Sequence, residues 1–262
     1  MFPHQLQRLI PRKLHPILGD VYNRSRGYLH RLISRGNEVT CPCCKHRFRR
    51  FLAHGHPYPI LAEMQMVGGG YRLNAECAWC GSLERERLVY LFLEQRALLH
   101  AGMKLLHIAP EKSLQKLLQQ QSTDYYSADL NSPLARLTMD ITKIDFPNGY
   151  FDAIICNHVL EHIPDDLQAM RELYRVLKPG GWAILQVPYS PILEQTLEDP
   201  SVTSARDRIR VFGQRDHVRI YGLDYGHRLE QAGFTLTREM PDQETISRYG
   251  LDTREPVWFV RK

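Results

Sequence analysis

Residues 148–188, NGYFDAIICNHVLEHIPDDLQAMRELYRVLKPGGWAILQVP, constrain the fold more than any other part of the chain. Residues 151–156 are a short apolar run that follows an Asn-Gly turn signal and ends at polar Asn157, the pattern of a strand buried on both faces. From Asp165 the positions Leu167, Met170, Leu173, Tyr174 and Leu177 recur at helical spacing until Lys178-Pro179-Gly180-Gly181 stop the helix. Residues 182–187 read as the next buried strand. Two such strands joined by a helix are parallel and linked by a right-handed crossover, so the expected class is α/β with a doubly wound sheet covered on both faces.

The same rhythm extends in both directions. Residues 104–109 (KLLHIA) and 125–129 (YYSAD) read as earlier strands, 224–232 as a helix, and 234–240 and 256–261 as the last two strands. Ser82 is expected to cap a helix running to about His100, with Leu83, Leu88, Leu91, Phe92 and Leu98 on one side. Residues 188–222 break the rhythm and concentrate polar and aromatic groups (Glu194, Glu198, Asp199, Asp216, His217, Arg219, Tyr221), as a lid over a site does.

Ahead of this domain stand two CxxC pairs, Cys41/Cys44 in CPCCKHRF and Cys77/Cys80 in AECAWCGS. Four thiolates at this spacing make a tetrahedral zinc site, structural because four protein ligands leave no position for water. Cys43 lies inside the first pair and is the alternative ligand; His46, His54 and His56 are expected at the surface. Between the pairs the chain reads as loop and hairpin, with Gly68-Gly69-Gly70 at a turn.

Charge separates the N-terminal part from the rest. Residues 1–50 hold eleven Lys/Arg against Asp20 and Glu38, a net of +9 where the whole chain carries +5. Arginines interleave with apolar residues over 1–38, a basic amphipathic arm suited to an anionic membrane surface, to nucleic acid, or to packing on its own domain. No apolar stretch reaches the roughly 18 residues needed to span a bilayer, and the first residues lack a signal core. A cytoplasmic protein is expected. The expected organisation is an arm (1–38), a zinc-ribbon-like module (39–82), and an α/β domain (83–262) carrying the lid insertion (188–222).

FDAIICNHVLEHIPDD with ELYRVLKPGGWAILQVP closely resembles the second half of the S-adenosylmethionine (SAM)-dependent methyltransferases of Rossmann-like, class I fold. That resemblance implies a mostly parallel sheet with an antiparallel last strand and SAM as cofactor. In the family the loop after the first strand is acidic and glycine-rich; here it is HIAPEKS, with His107 in the acidic place, Ala109 in a glycine place, and Glu111 available to the SAM ammonium. Asp129, next to Leu130 at the end of the second strand, matches the residue that accepts from the ribose hydroxyls. Asp140 matches the aspartate that accepts from the adenine amino group, with Ile141 beside the ring. Asn157 and His158 lie at the carboxyl end of the fourth strand, where such sheets bind ligands.

Methyl transfer to a hydroxyl needs alignment and a proton acceptor. His217 is the first choice as base, oriented by Asp216 or another lid carboxylate, and His158 the second. A small hydroxylated acceptor such as a saccharide is the first expectation for the substrate. The alternatives are nucleic acid, by resemblance to ribosomal-RNA guanine methyltransferases with an N-terminal zinc module, and a non-catalytic SAM-binding scaffold. Against nucleic acid, NHVL stands where base methyltransferases carry an NPPY-type motif, and the arm lacks interleaved aromatics.

Overall fold

The structure, a computed structural model, describes residues 34–121 and 124–262. Most of the expected arm therefore lies outside the described residues, and its last part, from Arg35, is the first strand of the cysteine module. There β1 (Arg35–Thr40) pairs antiparallel with β2 (Arg47–Phe48), and β3 (Leu52–His54) with β4 (Arg72–Glu76). The hairpin expected between the cysteine pairs is β3–β4. Its connection carries a short helix, α1 (Pro59–Glu63), started by proline in the first turn.

Helix α2 (Glu84–Gln95) leads into the sheet domain. Its N-cap is Leu83, without a side-chain cap bond, which corrects the expectation for Ser82. The Ser82 hydroxyl instead sits 3.3 Å from the sulfurs of Cys41 and Cys80. Then follow β5 (Lys104–Ile108), α3 (Lys112–Gln121), β6 (Asp124–Asp129), β7 (Leu137–Thr138), β8 (Phe151–Asn157), α4 (Asp166–Val176) and β9 (Leu177–Gln186). The lid region contributes β10 (Leu197–Glu198), α5 (Ala205–Phe212) and β11 (Arg219–Ile220). The chain closes with α6 (Tyr225–Gln231), β12 (Thr235–Glu239), α7 (Gln243–Tyr249) and β13 (Val257–Arg261).

Seven strands form the sheet in the order β12-β13-β9-β8-β5-β6-β7, and β13 runs antiparallel to both its neighbours while the remaining pairs are parallel. Winding reverses between β5 and β8, so the crevice for a ligand opens at the carboxyl ends of these strands. Alternation along the strands supplies both faces: Leu106, Ile154 and Cys156 pack on one side with Met170 and Leu173 of α4, and Leu105, Ala153 and Ile155 on the other with Leu114 and Leu118 of α3. Each leucine, isoleucine or methionine among them contributes about 2 kcal/mol.

The Lys178–Gly181 segment differs from its reading as a helix stop. The helix ends at Val176, and these residues belong to β9 as a bulge: Phe151 pairs with Leu177, and two residues on Ala153 already pairs with Trp182. Gly181 is required there, because a Cβ would stand 2.9 Å from the carbonyl oxygens of Asp152 and Lys178. Among the described residues no helix is long and apolar enough to cross a membrane.

The cysteine module is fastened to the sheet domain by Arg87, whose side chain is fully buried. Its guanidinium donates to the carbonyls of Ala75 and Ser82 in the module and of Tyr249 and Gly250 after α7, at 2.7–2.9 Å, and lies 3.9 Å from the Phe51 ring centroid. Arg87→Met keeps the bulk and removes the donors of four carbonyls. At about 1 kcal/mol or more each, the loss is roughly 4 kcal/mol, read as a lower denaturant midpoint. A wild-type midpoint would show that the clasp contributes nothing.

Candidate active site

The carboxyl ends of β5, β6 and β8 open onto a cavity of about 490 Å³. Ile108, Leu130, Met139, Ile141, Val159 and Ile163 give it apolar walls, with Ala109, Asp129, His158 and His162 among the remaining lining residues. Asp129 Oδ1 accepts from the main-chain N–H groups of Asn131 and Ser132, both at 2.7 Å, which fixes the carboxylate at the strand end. Oδ2 has no hydrogen-bond partner among the described residues. Asp140 does not line the cavity: its Oδ1 accepts from the Thr142 N–H and hydroxyl at 2.8 and 2.7 Å, bonds that also hold its carboxyl below the usual range. Its neighbours Met139 and Ile141 reach the wall in its place.

The loop after β5 departs from the glycine-rich pattern without losing its backbone shape. Ala109 takes a left-handed φ of 48°, the conformation a glycine would adopt there, and its N–H donates to the Ala128 carbonyl at 2.8 Å. His107 is fully buried beneath this loop, hydrogen-bonded to the Tyr125 hydroxyl at 2.9 Å and to Glu111 Oε2 at 2.8 Å. Glu111 Oε1 accepts from Asn157 Nδ2 at 3.1 Å. The carboxylate missing at position 107 is thus returned from position 111 by a histidine beneath it. Neither His107, Glu111 nor Asn157 lines the cavity.

A second cavity, of about 670 Å³, meets the first at His158 and His162, which line both. Its other walls come from the cysteine module (His54, Gly68, Gly69, Gly70, Arg72, Glu76), the start of α2 (Arg85), the turn after β8 (Glu161) and the lid (Gln214, His217). Gly68 permits the approach: its φ is +71°, and a Cβ would stand 3.2 Å from the His158 ring.

At the junction lies a polar cluster. Glu161, in a single 3-10 turn (Leu160–His162), is 1% exposed, and both carboxylate oxygens lack hydrogen-bond partners. Its Oε1 stands 3.6 Å from His158 Nδ1, 3.9 Å from His162 Nε2 and 4.0 Å from His217 Nε2. Burial pushes the Glu161 carboxyl up to about 7 and pushes His217 down to about 3; His158 is likewise held well below the ordinary histidine value by burial and by Arg85. Asp216 does not orient His217 as expected. Its carbonyl and its Oδ2 lie 3.3 and 3.6 Å from His162 Nδ1, and Oδ1 accepts from Gln214. The carboxylate beside His217 is Glu161.

The lid is held against this turn by one main-chain bond and one buried guanidinium. Val218 N–H donates to the Glu161 carbonyl at 2.9 Å, and buried Arg219 donates to the carbonyls of Leu160, Ile163 and Pro164. Sequence reading missed Glu161, Arg72, Arg85 and His54 as wall residues. Glu161 had a signal, an acidic residue just past a strand end; the other three come from distant segments that carry none.

In the cysteine module Cys41, Cys44, Cys77 and Cys80 form one group, with Cys41–Cys80 and Cys44–Cys77 sulfur distances of 3.6 and 3.7 Å. Four sulfurs at 2.3 Å from a tetrahedral zinc ion are about 3.8 Å apart, so the set fits that ion. Cys43 stands outside the group and packs against the core clusters on either side.

Residues 87–239 match the family described as Methyltransferase domain. Among curated relatives, an arsenite methyltransferase of Aquipseudomonas alcaligenes is 31% identical over 104 residues, 40% of this chain and 28% of the relative. A 2-phytyl-1,4-naphtoquinone methyltransferase of Synechococcus elongatus is 44% identical over 59 residues, 21% of this chain and 25% of the relative. The chain therefore spans about a quarter of the length of these relatives. Among solved structures, a Burkholderia thailandensis 1,6-didemethyltoxoflavin-N1-methyltransferase superposes with a TM-score of 0.46 at 17% identity, covering 68% of this chain and 77% of that one.

Glu111→Leu leaves a buried His107 nitrogen and the Asn157 amide without their partner. It is expected to lower stability by about 2 kcal/mol, measured as a shift in urea midpoint at constant slope. An unshifted midpoint would mean that the network beneath the loop does not contribute to folding.

Proposed function

The chain belongs to the methyltransferase-domain family, and from that premise we propose that it transfers a methyl group from SAM to a hydroxyl of a small polar acceptor, such as a saccharide. One observation carries this reading: the strand-end cavity, apolar with a carboxylate at its edge, shares His158 and His162 with a second cavity in which polar side chains outweigh an apolar patch of Leu61, Met66 and Pro188. The first suits a nucleoside. Asp129 Oδ2 would accept from the ribose hydroxyls, and Leu130, Met139 and Ile141 would flank the adenine. Bound SAM supplies an electrophilic methyl carbon on a sulfonium.

The second cavity then receives the acceptor. The O–C bond forms as the S–C bond breaks, and the hydroxyl proton must leave. Glu161, with His217 beside it, is placed to receive that proton, because a group titrating near 7 is matched to neutral pH. Asp216 contributes by positioning His162. The relatives' names specify arsenite and a quinone ring. Here an apolar ring would strip water from Arg72, Arg85 and His54 without replacing its hydrogen bonds, which favours a hydroxylated acceptor.

In the same reading the four-cysteine group holds a structural zinc ion, and the chain divides into the cysteine module (39–82) and a transferase domain with its lid (188–222). Hydrogen bonding among the sulfurs favours the Cys41 thiolate and raises Cys44 and Cys77, so binding of the ion would displace thiol protons. Reduced cysteines suit the cytoplasm.

Calorimetry with S-adenosylhomocysteine tests the cofactor assignment. Binding is expected, weakened tenfold or more in Asp129→Ala; absence of binding, or equal affinity in the variant, overturns it. His217→Ala is expected to lower turnover of hydroxylated acceptors by about 100-fold while leaving cofactor affinity intact, and full turnover would remove His217 from the reaction. Cys77→Ser is expected to lose the thiolate-bound zinc on metal analysis and to lower the unfolding temperature; an unchanged metal content would exclude Cys77 as a ligand.

A further inference from the structure

We propose that Glu161, His162 and His217 hold a divalent transition-metal cation at the junction of the two cavities, separate from the four-cysteine group. One ligand atom from each residue lies within 4.8 Å of the others. The side chain of Glu161 is 1% exposed, and neither oxygen has a hydrogen bond. A buried carboxylate in that state is costly unless a cation sits on it. Among the described residues no lysine or arginine forms an ion pair with it; its neighbours within 4.0 Å are imidazoles.

Orientation favours coordination. His162 and His217 cross nearly at right angles, 84° between planes with centroids 4.7 Å apart, and both turn Nε2 toward Glu161. His162 Nδ1 faces the carbonyl and carboxylate of Asp216, the outer partner that fixes a metal-binding histidine's tautomer. The Val218 N–H to Glu161 carbonyl bond clamps the lid so that His217 stays opposite the carboxylate. Ligands about 2.1 Å from a tetrahedral ion are roughly 3.4 Å apart. The Glu161–imidazole distances of 3.9 and 4.0 Å therefore need to close by only about half an ångström, within reach of side-chain rotation.

Two imidazoles and one carboxylate suit zinc, iron(II) or manganese(II) better than calcium or magnesium, and three protein ligands leave at least one position open. Glu161, His162 and His217 all border the polar cavity. Resting on the reading of that cavity as the acceptor site, the cation would hold the acceptor hydroxyl and make its proton easier to lose to solvent, with Glu161 and His217 then acting as ligands in place of the free proton acceptor. The O–C bond still forms as the S–C bond breaks, with no oxidant or reductant involved.

The test is calorimetric titration of Mn²⁺ and Co²⁺ into the full chain with its cysteine site already filled by zinc. One further equivalent is expected to bind. Its affinity should fall at least tenfold in Glu161→Gln and in His217→Gln, while cysteine-bound zinc and S-adenosylhomocysteine affinity stay at wild-type values. No further equivalent in the wild type, or undiminished affinity in both variants, overturns the site. Binding of the cation without methylation of any hydroxylated acceptor would sustain the site and overturn the acceptor reading. Methylation unchanged after chelation would sustain the acceptor reading and overturn the cation's part in the reaction.

Discussion

A single buried guanidinium determines what shape the site can have. Arg87 bonds four main-chain carbonyls, two from the stretch just before it (Ala75, Ser82) and two from the distant end of α7 (Tyr249, Gly250), and no other side-chain type presents enough donors in one plane to do so. Burial lowers its pKa, while Glu84 and the Cys41, Cys43 and Cys77 sulfurs favour the charged form. Because the module is clasped in this way, His54, Gly68–Gly70 and Arg72 become a wall of the polar cavity.

The crevice itself is shaped by two non-glycine residues in left-handed conformation, Ala109 after β5 and His158 after β8, with φ of 48° and 53°. Such a residue costs on the order of 1 kcal/mol or more and persists where surrounding bonds hold it. Here those bonds are Ala109 N–H to Ala128 and His158 N–H to Gln186, both at 2.8 Å. Each turns the chain away from the strand end, and the space so opened is the strand-end cavity on one side and the junction with the polar cavity on the other.

Polar groups beneath and beside this crevice differ in how they are satisfied. His107, Glu111 and Tyr125 bond one another and make a rigid floor. Glu161, the His158 Nε2 and one oxygen of Glu255 are buried without partners. Burial and the neighbouring Glu84 carboxylate raise Glu255 to about 8.

Much of the architecture was legible in residues 148–188, because a buried strand, a capped helix and a second buried strand each follow from local periodicity, and a parallel pair leaves little choice of topology. The two CxxC pairs likewise announced a four-sulfur group, and Asp129 its place at a strand end. What local pattern could not supply was every relation set by packing between distant segments. Asp216 meets His162, which comes from another loop, and does not orient His217 beside it in sequence. The KPGG segment became part of a strand because β8 and β13 lie on either side of it. His54, Arg72 and Arg85 entered the site only through the clasp at Arg87. Sequence determined which elements form, since that depends on residues within a few positions of one another; tertiary structure decided which side chains meet, since that depends on surfaces whose contact no local interaction encodes.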